Sequence, residues 1–382
     1  MADKRHTYTY PTRIEYGPGA MKDFTSIVKS SGLKKGLIVT DAGIEKVGTA
    51  GKLKEYFCEQ GIETEIFSDV KSNPTEDNVL DGTKIYKESG CDFIIGLGGG
   101  SPIDAGKTIK VLATHDGPLE KYDDTKGGEK FIENNMPPFY AIPTTAGTGS
   151  EVGRSSVINV NNKKTIIFSP YMMPDIAVLD PLVTLSLPPH LTAATGIDAF
   201  VHNLEAYIME TYHPMADGMA IEAMKMCVKN LSIAVNNGSD MIARGNMLMA
   251  SAMGAVAFQK GLGVNHSIAH ALGVFYDMHH GLANAMVLTE VMRYNITKDS
   301  IREKYASLGA IFGVPNDAEA VIGAIEVWLK SVDLNKKLSE LGVSKDKFEE
   351  LEAYALEDPC CPLNPKKVEK GDVVGILEKC YE

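Results

Sequence analysis

The chain has 382 residues, 44% hydrophobic and 23% charged, with a formal net charge of −12. That length predicts two domains in a composition ordinary for a globular protein. The negative balance argues against a nucleic-acid or anionic-membrane surface, and no apolar run approaches the roughly 20 residues that span a bilayer, so neither nucleic acid nor membrane is expected as a partner.

The opening Met-Ala-Asp-Lys-Arg-His lacks the apolar core of a secretory signal. Six cysteines (58, 91, 227, 360, 361 and 380) show no CxxC spacing, which predicts reduced thiols and a cytoplasmic location. The adjacent pair Cys360 and Cys361 reads as packed or surface thiols rather than a redox couple.

In chain order, a β-like stretch from Tyr8 to Tyr16 comes first, an edge strand or an arm that pairs with another subunit. Lys35 to Thr40 has a buried-strand pattern, Ile62 to Phe67 alternates as a half-exposed strand, and Cys91 to Leu97 and Phe139 to Pro143 are two further strands. Helical patterns fill the intervals, Thr75 to Ser89 among them. Such alternation predicts a mostly parallel sheet covered on both faces. Beyond Leu187-Pro188-Pro189-His190 the chain turns helical and stays so to its end. The expectation is an α/β domain over 1–188 and an all-helical one over 189–382.

Gly98, Gly99 and Gly100 follow a strand and open a helix with Ser101, Pro102 and Asp104. Consecutive glycines let backbone N–H groups approach a phosphate, and the helix N-terminus adds a favourable dipole. The GxGxxG spacing of a dinucleotide fingerprint is missing, so a plain strand–helix turn stays open. Asp41, closing the Leu37–Thr40 strand, suits an adenosine ribose or a helix cap equally. Thr144, Thr145 and Thr148 lie in a second small-residue loop, a candidate lining for a pyrophosphate and nicotinamide or a plain connection.

Asp198 and His202 stand at i, i+4, on one face of a helix. Of nine histidines, four (266, 270, 279 and 280) fall between 266 and 280. Asp198, His202, His266 and His280 read as a metal site supplied by two helices. One carboxylate and three imidazoles suit Fe(II), Zn(II) or another first-row ion, and suit Ca(II) or Mg(II) badly.

With these motifs assembled, the chain resembles the iron-containing (group III) alcohol dehydrogenases over nearly its whole length. The landmarks are Asn73-Pro74-Thr75, Gly98 to Ser101, Pro143 to Glu151, Asp180-Pro181, Gly196 to His202, His266 with His270, His280-Gly281 and Asn364-Pro365. The resemblance implies a Rossmann-like NAD-binding domain, a helical metal-binding domain and an active site in the cleft between them. It makes Asp198, His202, His266 and His280 the metal ligands, with Fe(II) the default and Zn(II) or Mn(II) alternatives. It places His270 near the substrate, in proton relay or as a hydrogen-bonded support, and makes His279 a solvated neighbour. Asp41 matches the position that favours NAD over NADP. Asn73, Gly99, Ser101, Asp104, Thr144, Thr145, Lys164 and Leu179 match cofactor positions. A homodimer or higher homo-oligomer follows by the same analogy.

Two segments depart from the family. Gly153, followed by Arg154 and Ser155, replaces a threonine near the nicotinamide; Gln259 and Lys260 stand in a run that is usually Phe-Asn-Asn-Ala. These groups suit a short aldehyde with an anionic tail, such as sulfoacetaldehyde reduced to isethionate. The alternative is a general short-chain primary alcohol, 1,3-propanediol or lactaldehyde-type dehydrogenase. A lyase resembling dehydroquinate synthase is a reading of a different class, which net turnover of NADH would exclude.

Overall fold

The computed structural model describes Tyr10, residues 12–161 and residues 163–381. They form two compact units, Tyr10–Leu187 and a second running from Pro188 onward. The first contains β1 (Arg13–Tyr16), α1 (Ala20–Ser30), β2 (Lys35–Val39), α2 (Ala42–Lys46), α3 (Thr49–Glu59), β3 (Glu63–Phe67), α4 (Glu76–Glu88), β4 (Phe93–Gly98), α5 (Gly100–Thr114), β5 (Phe139–Pro143), β6 (Ser155–Val160), β7 (Lys163–Phe168) and β8 (Ile176–Leu179). Six strands form one sheet in the order β1-β8-β5-β4-β2-β3. All its pairings are parallel, as strand–helix alternation requires.

Each face of that sheet carries its own core. One is aromatic: Phe24 meets Tyr140 and Phe57 edge-on with ring centres 5.0 and 6.1 Å apart. On the other, a Cβ at Gly96 would stand 2.9 Å from the Ile103 Cα, and one at Gly106 would stand 2.7 Å from the Phe139 ring. Those two glycines let α5 lie close against β4. Its N-terminus is thereby held at the carboxyl end of the strand, where open α/β sheets bind ligands.

Arg13–Tyr16 is the edge strand of this sheet; Tyr8, Thr9 and Pro11 of the β-like stretch lie outside the described residues. The sequence reading did not anticipate the antiparallel β6–β7 hairpin or β8. Polar residues interleave β6 and β7, Asn161 turns between them at φ 51°, and β8 has only four residues.

The second unit holds α6 (Pro189–Ile208), α7 (Pro214–Asn236), α8 (Met241–Ala257), α9 (Val264–Tyr276), α10 (His280–Asn295), α11 (Asp299–Ala306), α12 (Gly309–Phe312), α13 (Ala318–Ser331), α14 (Phe348–Glu357) and α15 (Asp372–Tyr381). Contrary to the expectation of no such run, 241–260 is long and apolar enough to cross a membrane. Within this unit 67% of that stretch is buried, which accounts for its composition. A Cβ on Gly281 would fall 2.0 Å from the Ala194 carbonyl oxygen, so α10 packs backbone to backbone on α6. That approach brings the start of α10 to Asp198.

Candidate active site

In the helical unit, three imidazoles converge on one carboxylate oxygen. Asp198 Oδ1 lies 3.5 Å from His280 Nε2, 3.8 Å from His266 Nε2 and 4.0 Å from His202 Nε2. The His202 and His266 rings stack with centres 4.7 Å apart. Three helices supply the set, a correction to the expected two: after Tyr276 the chain breaks at Asp277 (φ 49°) and His280 opens α10.

The donor set fits a first-row divalent ion. Donors about 2.1 Å from one metal stand about 3.4 Å apart in a tetrahedral arrangement, close to the separations observed. Burial raises the Asp198 carboxyl, but His202, His280 and His266 with the Asn284 amide outweigh it and bring it to about 2. Burial, with smaller repulsion from the other imidazoles, pushes His280 well below its ordinary value despite Asp198. An ionised carboxylate beside a neutral imidazole is the protonation state a metal binds.

Three partners of this site escaped the sequence reading. Glu205 Oε2 accepts from His266 Nδ1 at 2.6 Å and Oε1 accepts from the Asn265 N–H at 3.0 Å. This fixes the His266 proton on Nδ1 and leaves Nε2 for a metal. Burial works against protonation of His266, and the Glu205 bond more than reverses it, leaving the imidazole above its ordinary value. Asn284 Nδ2 donates to Asp198 Oδ1 at 2.8 Å, and its own Oδ1 accepts from Asn265 Nδ2 at 2.8 Å. Asp358 Oδ2 accepts from His270 Nδ1 at 2.7 Å. Glu205 and Asn284 sat at helical spacings from His202 and His280, a usable signal; Asp358 is 88 residues from its partner and gave none. His279 is exposed, as expected of a neighbour.

In the α/β unit, the two glycine loops lie side by side on adjacent strands. Thr144 N–H donates to the Gly98 carbonyl at 2.9 Å. A Cβ on Gly99 would lie 3.4 Å from Thr145 Oγ1, and one on Gly100 would lie 2.9 Å from Thr148 Cγ2. Gly98 has φ 152°, a conformation that residues with a side chain rarely adopt. Gly99 caps α5 without a side-chain hydrogen bond, leaving first-turn N–H groups for an anion. These bare amides in a cradle that a side chain would fill fit a nucleotide phosphate. Ser101 Oγ donates to the Ser72 carbonyl at 2.6 Å, drawing the Asn73 loop to the same helix start.

Other expected cofactor positions have structural tasks. Asp41 caps α2, its Oδ1 accepting from Gly43 and Ile44 N–H at 2.8 and 3.0 Å. Asp104 accepts from Ser150 Oγ at 2.5 Å and Val157 N–H at 2.9 Å, which ties α5 to the second loop and to β6. Thr144 and Leu179 are 3% and 0% exposed, which leaves their side chains almost no surface to offer. Lys164 is exposed on β7.

Beneath the second loop lies a buried charge cluster that the sequence reading also passed over. Lys107 Nζ donates to Ser150 Oγ at 2.8 Å and to the Ser155 carbonyl at 2.9 Å. Burial lowers this amine to about 8, against the opposing pull of Asp104 and Glu151. Burial also raises the Glu151 carboxyl to about 7, and its Oε1 has no hydrogen-bond partner.

Three of the four residues expected to read an anionic tail, Arg154, Gln259 and Lys260, have their side chains engaged elsewhere. Lys260 is buried and paired with Asp217, so its charge is neutralised inside the helical unit. Gln259 Nε2 donates to the Val256 carbonyl at 2.8 Å. Arg154 lies 5.3 Å over the Phe168 ring, and the Ser155 carbonyl holds Lys107.

Both units match known proteins. The family model described as iron-containing alcohol dehydrogenase matches residues 11–181, and that for the C-terminal part of the Fe-containing alcohol dehydrogenase family matches residues 192–381. The 4-hydroxybutyrate dehydrogenase of Cupriavidus necator is 37% identical, over 97% of this chain and 98% of its own. A crystal structure of 1,3-propanediol oxidoreductase superposes with a TM-score of 0.93 at 36% identity, covering 99% of this chain and 100% of its own. The sulfoacetaldehyde reductase of Bifidobacterium kashiwanohense, solved with NAD+, gives 0.90 at 27% identity, covering 99% of each chain.

Proposed function

The chain belongs to the iron-containing alcohol dehydrogenase family and is an oxidoreductase, and from that premise we propose that it is an NAD(H)-dependent, Fe(II)-type dehydrogenase of short-chain primary alcohols, working as an aldehyde reductase. The observation that carries the reading is the convergence of three imidazole Nε2 atoms on Asp198 Oδ1.

Asp198, His202, His266 and His280 would hold the ion, and the loops at Gly98–Gly100 and Thr144–Thr148 would hold NAD, with the Asp41 carboxylate disfavouring a 2′-phosphate. A metal held there would supply Lewis-acid polarisation of the substrate oxygen, and a bound nicotinamide would supply or accept the hydride. Glu205 holds the His266 proton on Nδ1, which leaves Nε2 as the atom that would ligate the ion. Asp358 holds His270 by Nδ1, which leaves Nε2 to exchange a proton with the alcohol oxygen. All six cysteines are unpaired, which supports a reducing, cytoplasmic setting.

The pairing of Lys260 with Asp217, which neutralises that ammonium, supports an uncharged substrate tail. The names of two relatives, a 4-hydroxybutyrate dehydrogenase and a sulfoacetaldehyde reductase, keep anionic tails as a second reading. The test is NADH oxidation by Fe(II)-loaded protein with propanal, 3-hydroxypropanal, succinic semialdehyde and sulfoacetaldehyde. Higher kcat/KM for the first two supports the uncharged reading; preference for either anion overturns it. Absence of NADH turnover with all four counts against the reductase itself.

A further inference from the structure

The helical unit carries a second group of metal-ligating side chains with a different donor chemistry. His270 of α9, with Asp358 and Cys360 of the segment that follows α14, each offer one ligand atom, and these atoms lie within 4.8 Å of one another. Asp358 organises the three. Its Oδ2 accepts from His270 Nδ1 at 2.7 Å, and its Oδ1 accepts from the Cys360 N–H at 2.9 Å and Ser267 Oγ at 3.2 Å. Burial first, and the same carboxylate after it, push the Cys360 thiol well above its ordinary value, so it is a neutral S–H until an ion arrives.

Asp198, His202, His266 and His280 present only nitrogen and oxygen. The trio adds a sulfur, and a thiolate with an imidazole and a carboxylate selects softer ions. We propose that His270, Asp358 and Cys360 form a second metal site that captures a thiophilic divalent ion, zinc or cadmium. On binding, the Cys360 S–H bond breaks and its proton leaves to solvent, while a metal–sulfur bond forms. The His270 proton moves from Nδ1 to Nε2, freeing the Nδ1 lone pair, and Asp358 ligates through the oxygen that had held that proton. Thiolate and carboxylate together neutralise the ion, so no net charge is left in a partly buried site. His270 has 29% of its side chain exposed, which gives an ion a way in.

The His270 ring stacks on His280 with centres 5.2 Å apart, so the site adjoins the Asp198 cluster without sharing a ligand. Occupancy ties up His270 and inhibits the enzyme; that consequence rests on the role given to His270 above, whereas the site itself does not.

The test titrates Cd(II) into the full-length Fe(II)-loaded protein and follows the ultraviolet cadmium–thiolate charge-transfer band. Cadmium that displaces iron from the Asp198 cluster meets no sulfur and is silent in this band. The expected result is a band that saturates at one equivalent, persists in Cys58→Ser and is lost in Cys360→Ser. A band that survives Cys360→Ser, or no band at all, overturns the site. In the unmutated protein, Cd(II) is expected to slow iodoacetamide labelling of Cys360 at least tenfold while leaving Cys58 unaffected, as read by peptide mass spectrometry. Equal slowing at both, or slowing at neither, overturns it as well, whatever the folding of the variants.

Discussion

Glu205 Oε2 and His266 Nδ1 stand 2.6 Å apart with both residues at most 2% exposed, a buried carboxylate–imidazole pair behind a candidate metal ligand. Outer partners of this kind contribute about 10- to 100-fold to metal affinity. Glu205→Gln, which retains the shape and loses the charge, is expected to weaken Fe(II) binding by that factor. A competition titration with a chromophoric chelator measures it, and an unchanged melting temperature of the metal-free protein separates this effect from misfolding.

Removal of the metal is expected to remove activity. Lewis-acid stabilisation of several kcal/mol corresponds to a loss of about 10³-fold or more. Chelation should produce that loss and added Fe(II) should reverse it, whereas Asp198→Ala should show the loss without recovery. Metal content and kcat measured on the same samples check the correspondence.

Asp41 caps α2 and, in the proposed function, also disfavours a 2′-phosphate, two roles that substitution can separate. Asp41→Asn keeps a side-chain acceptor for the Gly43 and Ile44 N–H groups but discards the charge. The kcat/KM ratio of NADPH to NADH is expected to rise about tenfold or more, with little change in melting temperature. Asp41→Ala should show the same shift in preference plus a loss of about 1 kcal/mol from the missing cap.

The Glu151 carboxyl, raised by burial from 4.5 to about 7 in the folded chain, makes stability depend on pH. Between those values the folded state binds more protons than the unfolded one, so stability falls as pH rises through this window and levels off above it. The total effect is up to about 3 kcal/mol. Glu151→Gln should flatten the slope, so the melting-temperature gap between variant and parent should move in the variant's favour from pH 5 to pH 8. A constant gap would mean that Glu151 does not titrate there.

Lys260 serves as a structural test of the substrate reading. Lys260→Ala leaves Asp217 without its partner, and an expected loss of about 2–4 kcal/mol follows, since Asp217 keeps 33% of its side chain in solvent. Thermal unfolding measures that loss. The ratio of kcat/KM for sulfoacetaldehyde to that for propanal should stay within about threefold of the parent's; a larger fall would return Lys260 to the substrate.

What the sequence determined by itself is what periodicity and local spacing control. Buried strands such as Leu37–Val39 and Phe93–Leu97 announce themselves as apolar runs, because parallel strands covered on both faces have no polar side. The i, i+4 pair Asp198 and His202 declares one helix face, and Gly98–Gly100 declares a tight strand–helix turn. Short or interleaved strands such as β8 and β6 carry too weak a pattern to be read.

The tertiary structure decided every relation that depends on which surfaces pack. The His266–Glu205 and His270–Asp358 bonds span 61 and 88 residues, and no local signal couples positions so far apart. His280 joins Asp198 because Gly281 lets α10 touch the Ala194 carbonyl, and Lys260 became a buried partner of Asp217 instead of a solvent-facing charge. A sequence states the chemical type of a side chain; the packing of helices α6, α9 and α10 states which other side chain satisfies it, because a buried polar atom must find its partner wherever the fold brings one.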